Sequence, residues 1–255
     1  MKKKIITFLF SMIVICMGGC GAKEDQNVNE TLVEVVPSTK EGEDTKDEEA
    51  SYYTSELDLS VEGEPTIENP LIENEYVVIG DYTKLKIKKV ETKEPTKEQI
   101  EQEFDSYMAV YDEEVTDELV AEKTEYKSIQ EYKDAIKSQL QTSFQAQAKA
   151  AKEQETWEIV WENASIKKYN EAMVEEYIVE YKAYMQEEIT QMYGMSLEAY
   201  LNQQQISKEE FRTQVQSVAK SRAKQELLLE SIAKEEGLES TEDVIPFLTE
   251  KISEE

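Results

Sequence analysis

From Ile129 onward, apolar residues recur at three- and four-residue steps: Ile129, Tyr132, Ile136, Leu140, Phe144, Ala148 and Ala151. That spacing places them along one stripe of an α-helix, with charged and amide side chains on the other faces. Ser128 and Glu131 form a capping box at its start, and the pattern predicts one helix from there to about Asn163. Trp157, Ile159, Val160 and Trp161 make the far end apolar nearly all round, so that end is expected to be buried. The same signals predict helices from Thr96 to about Val110, from Asn170 to Tyr193, from Ser196 to Gln203, and from Ser207 to the Gly237 stop. One or two further turns are expected within Asp112–Glu122, and a last helix after Ser240 carries Val244, Phe247 and Leu248.

The breaker residues agree. No proline occurs from Thr96 to Ile245 and no glycine between Asp81 and Tyr193. Sheets and irregular domains need glycine for positive-φ turns, and helix interiors reject proline, so this composition favours long helices. The strand signal lies in Tyr76–Val90. There Tyr76-Val77-Val78-Ile79 is an apolar run and Gly80-Asp81 a turn pair, and Leu85, Ile87 and Val90 are separated by lysines, as in a half-exposed edge strand. A small β-hairpin is therefore expected over residues 76–95, ahead of a helical domain at 96–255.

The N-terminus changes the picture of where the chain works. Lys2, Lys3 and Lys4 precede the apolar run Ile5–Cys16, too short to cross a bilayer. Met17-Gly18-Gly19-Cys20 then matches a bacterial lipobox, which makes residues 1–19 a lipoprotein signal peptide and Cys20 the lipidation site. The expected location is extracytoplasmic, anchored to the cell membrane through the lipid. Residues 20–75 carry 17 acidic and 3 basic residues with Pro37, Pro65 and Pro70. They read as an acidic, disordered tether unable to bury enough apolar surface to fold.

Chemistry is bounded by inventory. The chain has no histidine, and its two cysteines are Cys16 and Cys20. Imidazole bases, thiol nucleophiles after processing and His/Cys zinc sites are thereby excluded. Acidic clusters such as Asp112-Glu113-Glu114 and Glu175-Glu176 lack the spacing of an oxygen-ligand calcium loop and read as solvated faces. No metal, cofactor or catalytic residue is expected. The net charge of −28, or −31 without Lys2, Lys3 and Lys4, argues against nucleic acid as a partner.

Four stretches resemble the C-terminal domain of the trigger factor chaperones, in the family's order. They are Tyr126-Lys127-Ser128-Ile129-Gln130-Glu131-Tyr132-Lys133; Gly194-Met195-Ser196-Leu197-Glu198-Ala199-Tyr200-Leu201; Ile206-Ser207-Lys208-Glu209-Glu210-Phe211; and the run Gln225 to Leu238 through Glu235-Glu236-Gly237. Asn170 stands where the family usually has proline, which suggests a weaker start for that helix. Family members often carry an FKBP-type peptidyl-prolyl isomerase domain, but here Tyr111-Asp112 runs directly into the sequence that follows that domain, with no glycine between. The ribosome-docking domain has no counterpart either.

The resemblance implies a mainly α fold of long antiparallel helical arms, and a cradle that holds unfolded or partly folded exported polypeptides without isomerase activity. The candidate client-binding residues are Met173, Tyr177, Tyr181, Tyr184, Met185, Ile189, Met192 and Tyr193. Methionine adapts its shape and tyrosine joins apolar area to a hydroxyl, which suits promiscuous contact. Residues 173, 177, 181, 185 and 189 share one i, i+4 ridge and read first as arm core packed on residues 129–151, since a helical hairpin needs such a stripe. Tyr184, Met192 and Tyr193 lie off that line and are the better surface candidates. An envelope scaffold embracing one folded partner is the alternative, and a residual isomerase is disfavoured. The oligomeric state is not legible.

Overall fold

The computed structural model describes residues 52–61, 63 and 66–254. The signal peptide, Cys20 and most of the expected tether lie outside these residues. Helices α1 (Lys97–Met108), α2 (Asp117–Lys123), α3 (Ile129–Glu162), α4 (Glu171–Tyr193), α5 (Leu197–Gln203), α6 (Lys208–Glu236) and α7 (Val244–Lys251) dominate the described part. Five short strands accompany them: β1 (Ile72–Glu73), β2 (Val77–Ile79), β3 (Lys86–Ile87), β4 (Ala164–Ile166) and β5 (Ser253–Glu254).

Caps set the helix ends. Thr96 with Gln99, and Ser207 with Glu210, form complete capping boxes at α1 and α6. Ser128 accepts from the Glu131 amide at the start of α3. Asn170, expected to be a weak start, caps α4 by accepting from the Met173 amide at 3.3 Å. Asparagine is among the best N-caps, so replacing a family proline there exchanges one helix-start device for another. Gly194 and Gly237 close α4 and α6 at φ 65° and 69°, a left-handed conformation in which a Cβ would be strained. After Gly237 the Leu238 N–H reaches back to the Ala233 carbonyl at 2.8 Å, as a Schellman ending requires.

The β structure departs from the expected hairpin. Gly80-Asp81 does not turn the chain back between residues 76–79 and 85–90. The Gly80 N–H instead donates to the Asn163 carbonyl at 2.8 Å, and Asp81 caps a 3-10 turn at Tyr82–Lys84. β2 pairs antiparallel with β1 on one side (Ile72 opposite Ile79) and with β4 on the other (Val77 opposite Ile166). The hairpin present is thus β1–β2, closed by Asn74, whose Oδ1 accepts from the Tyr76 and Val77 amides. β4 falls in what reads as a plain connection after α3, because Ala164-Ser165-Ile166 is too short to announce a strand without its partner. β3 pairs in parallel with β5 near the C-terminus.

Part of the expected tether is ordered and packed. Tyr53 is 3% exposed and Ile72 is buried, both in the main core. The acidic count of residues 20–75 hid them, although Leu57, Leu59 and Val61 close by alternate with polar residues and pack against the same core. The main core gathers Ile79, Tyr82, Val160, Val174, Ile178, Phe211, Leu228, Ile232 and Leu248. A second core forms where α1 and α2 pack on the first turns of α3, around Phe104, Met108, Leu119, Val120 and Ile136. Ile136 and Val160 are 24 residues apart on one helix, roughly 36 Å at 1.5 Å per residue. Residues 88–96 run beside α3 between the two cores: the Lys88 amide donates to Glu155, and Gln141 to Glu94.

Candidate functional site

The eight candidate residues all lie on α4, but the helix sorts them by face. Met173, Tyr177, Tyr181 and Met185 are half-buried against the main core, and Ile189 is 2% exposed. Their partner is α6 rather than residues 129–151, because the first part of α3 is taken up with α1 and α2. Arg222 of α6 stacks over the Tyr177 ring at 4.3 Å and pairs with Glu180 at 3.1 Å. This ridge is the seam of the α4–α6 hairpin.

Tyr184, Met192 and Tyr193 are 46%, 62% and 53% exposed. They do not form one continuous patch. Tyr184 and Tyr193 are nine residues apart, about half a revolution at 3.6 residues per turn, so they occupy opposite flanks. Tyr184 neighbours Tyr181, with ring centroids 6.5 Å apart. Tyr193 stacks on Tyr200 of α5 at 5.4 Å, beside Met192 at the tip of the hairpin. Hydrogen bonds close the tip. Gln186 accepts from the Leu197 amide at 3.1 Å and donates to Thr190 at 2.9 Å, fixing α5 against the end of α4. Val179, 49% exposed, adds an aliphatic group the sequence reading passed over.

The electrostatics of the seam follow from burial. Burial pushes the Tyr177 phenol up, with Glu226 adding to it, and burial with Tyr184 nearby does the same at Tyr181. Glu226 is itself raised by burial and by Glu230. Each shift follows from a polar tip held beside apolar packing, and no nucleophile is paired with a base. A groove of about 340 Å³ between residues 90–92, α3 and α7, lined by Val90, Ala148, Lys152, Glu153, Pro246 and Thr249, gathers no such pair either. Among the described residues no group of three or more acidic or thiol side chains could hold a metal ion, and no helix is long and apolar enough to cross a membrane.

A feature missed in the sequence lies along α6. Arg212, Gln216 and Lys220, one helical turn apart, all contact residues 52–61. Gln216 Nε2 donates to the carbonyls of Tyr53 (3.0 Å) and Ser55 (3.3 Å), and Lys220 Nζ to that of Asp58 (3.1 Å). Arg212 lies 3.3 Å from the Glu56 carboxylate and over the Tyr52 ring. The usable signal was the alternation Leu57, Leu59, Val61, outweighed by the acidic count of residues 20–75.

The sequence from the start of α3 onward matches known proteins. The family described as the bacterial trigger factor protein (TF) C-terminus matches residues 128–255, from the cap of α3 to the end of the chain. The chain is similar to the trigger factor of Halothermothrix orenii, 32% identical over 144 residues, which is 56% of this chain and 33% of that protein. It is also similar to the trigger factors of Clostridium tetani (30% over 131 residues; 51% of this chain, 30% of that protein) and Agathobacter rectalis (30% over 147 residues; 55% and 31%). The chain thus spans about a third of the length of these relatives. No solved structure gives a significant match. With the matched segment covering half of the chain and containing α3 to α7 in full, the protein belongs to the family of trigger factor C-terminal domains.

Proposed function

We propose that the protein is a chaperone that holds unfolded polypeptide segments against its helical hairpin, outside the cytoplasm and tethered by a lipid on Cys20. The observation that carries this is the exposure of Tyr184, Met192 and Tyr193 within the segment that matches the trigger factor C-terminus. Met192 and Tyr193 stand together at the hairpin tip with Tyr184 on another flank, and adaptable Met and Tyr groups suit weak, sequence-tolerant contacts. Holding of this kind needs no nucleotide. Residues 109–116 are all that separates α1 from α2, so no isomerase domain is inserted at that point. The lipid anchor rests on the Lys2–Lys4, Ile5–Cys16 and Met17–Cys20 pattern alone.

The test is aggregation of a denatured exported protein diluted into buffer with the purified protein, scanned over stoichiometry and salt. Suppression near one-to-one, lost on combined Tyr184→Ser, Met192→Ser and Tyr193→Ser with helicity retained, is the expected result. Absence of suppression with several unrelated clients refutes holding and favours an envelope scaffold with a single folded partner.

A further inference from the structure

The segment Tyr52–Val61 is seated on the α4–α6 hairpin in a manner that reads the backbone as much as the side chains. It begins with helical backbone at residues 52–54 and continues without a hydrogen-bonded partner strand through residues 57–61. Burial then alternates: Leu57, Leu59 and Val61 face the core, and Asp58 and Ser60 face out. Tyr53 is the anchor, edge-on to Phe211 at 5.9 Å, with Lys182 Nζ 4.6 Å from its ring. Arg212 and Gln216 meet the opening helical turn of the segment, at Tyr52, Tyr53, Ser55 and Glu56, and Lys220 meets its extended part at the Asp58 carbonyl, so two of the three bind main-chain carbonyls.

Contacts to carbonyls are available to any polypeptide, so they discriminate little by sequence. Selectivity comes from the aromatic pocket at Phe211, the aliphatic positions four, six and eight residues further on, and charge. Arg212, Lys220 and Lys182 make this strip basic in a chain of net charge −28, and Glu56 and Asp58 answer it from the segment. We propose that the α6 strip is a docking site for an acidic polypeptide segment that presents an aromatic anchor on one helical turn and continues as extended chain, occupied by residues 52–61 of the same chain, which act as a displaceable resident that a client segment must replace. This rests on and deepens the client-holding reading. Only residues 62–71 join the resident to β1, so it competes at a high effective concentration and weakens any incoming peptide.

The probe is a fluorescein-labelled peptide with the sequence of residues 51–62, followed by fluorescence anisotropy. Peptide binding to Leu57→Ser/Leu59→Ser protein, which loses only half-buried side chains of the resident, is expected to be at least tenfold tighter than to wild type. Tyr53→Ser is expected to do the same, with circular dichroism reporting whether the fold survives the loss of this buried ring. Adding Gln216→Ala/Lys220→Ala to the Leu57/Leu59 variant is expected to remove the gain. Equal affinity for wild type and the Leu57/Leu59 variant, or no binding to either, overturns the proposal. Aggregation suppression by the same proteins separates the two readings: suppression without peptide binding leaves holding intact and removes this site, and peptide binding without suppression does the reverse.

Discussion

The Tyr82 hydroxyl donates a 2.6 Å hydrogen bond to Glu236 Oε1, joining positions 154 residues apart. Lys251 donates to the same oxygen at 2.5 Å. One carboxylate on the last turn of α6 thereby ties the 3-10 turn after β2 to the end of α7. Burial and the adjacent carboxylate push the Tyr82 phenol far above its usual range, so it remains a donor. Burial works against the charge on Glu236, but the hydrogen bonds from Lys251 and Tyr82 outweigh it and leave that carboxyl below the usual range.

A fully buried tyrosine donating to a charged acceptor contributes about 1.5 kcal/mol, so Tyr82→Phe is expected to lower stability by that order at pH 7. The sign of the pH dependence follows from the depressed pKa. Stabilisation by the Glu236 carboxylate is complete above the ordinary carboxylate pKa and is lost as pH falls through its lower folded value. The gap between wild type and Tyr82→Phe in urea unfolding is therefore expected to be widest near neutrality and to shrink in strong acid. A gap that grows with acidification would contradict the assignment.

Glu226 runs the opposite way. Its folded pKa is raised, so its protonation favours the folded state, and the carboxylate opposes folding as pH rises through the folded value. Glu226→Gln is expected to stabilise the protein at pH 7 by less than about 1 kcal/mol, since the site is only partly shielded. The gain should vanish below the ordinary carboxylate pKa. A thermal-unfolding series over pH decides it.

Gly80 owes its identity to proximity. A Cβ there would stand 2.7 Å from Cγ of Asn163, the residue that caps the end of α3 and receives the Gly80 amide. Gly80→Ala is expected to cost about 1–3 kcal/mol through this overlap. Asn163→Ala placed with it is expected to recover most of the loss, a non-additive pair that chemical denaturation of the two single variants and the double variant would measure.

Gly80 also marks what the sequence could and could not convey. Helix limits are local: Ser128, Ser207, Gly194 and Gly237 act within a turn of their own position, so they are legible without tertiary knowledge. Gly80 beside Asp81 carries the same local signature as a hairpin turn, but its purpose is contact with Asn163, 83 positions away. The ridge at 173, 177, 181, 185 and 189 was legible as a seam, whereas its partner was not, because periodicity names a buried face without saying what covers it. Tyr53 failed differently. Its surroundings are acidic enough to read as unfolded chain, and the position made for it by Phe211, Gln216 and Lys182 lies far away in sequence.

The faces of α4 can be separated by mutation. Ile189→Ala removes buried volume from the seam and is expected to cost about 2–5 kcal/mol. Tyr184→Ser changes a half-exposed flank and is expected to stay within about 0.5 kcal/mol. If the proposed holding surface is right, Tyr184→Ser reduces aggregation suppression at unchanged stability. Ile189→Ala loses suppression only where it unfolds. Equal stability losses for the two would show that Tyr184 is part of the core.

Trp157 and Trp161 both pack against the main core, and the chain has no other tryptophan. Tryptophan fluorescence therefore reports on the core around Val160 and is blind to the one around Ile136, roughly 36 Å along α3. Ile136→Ala is expected to cost the α1–α2–α3 core about 2–5 kcal/mol by opening a cavity under Phe104 and Leu119. Helix at that end would then melt before the tryptophans move. The measurement is urea unfolding followed by far-ultraviolet circular dichroism and by fluorescence on the same samples, where separated transitions signify loss of two-state behaviour. Two curves that shift together would show that α3 transmits the damage between the cores and that they fold as one unit.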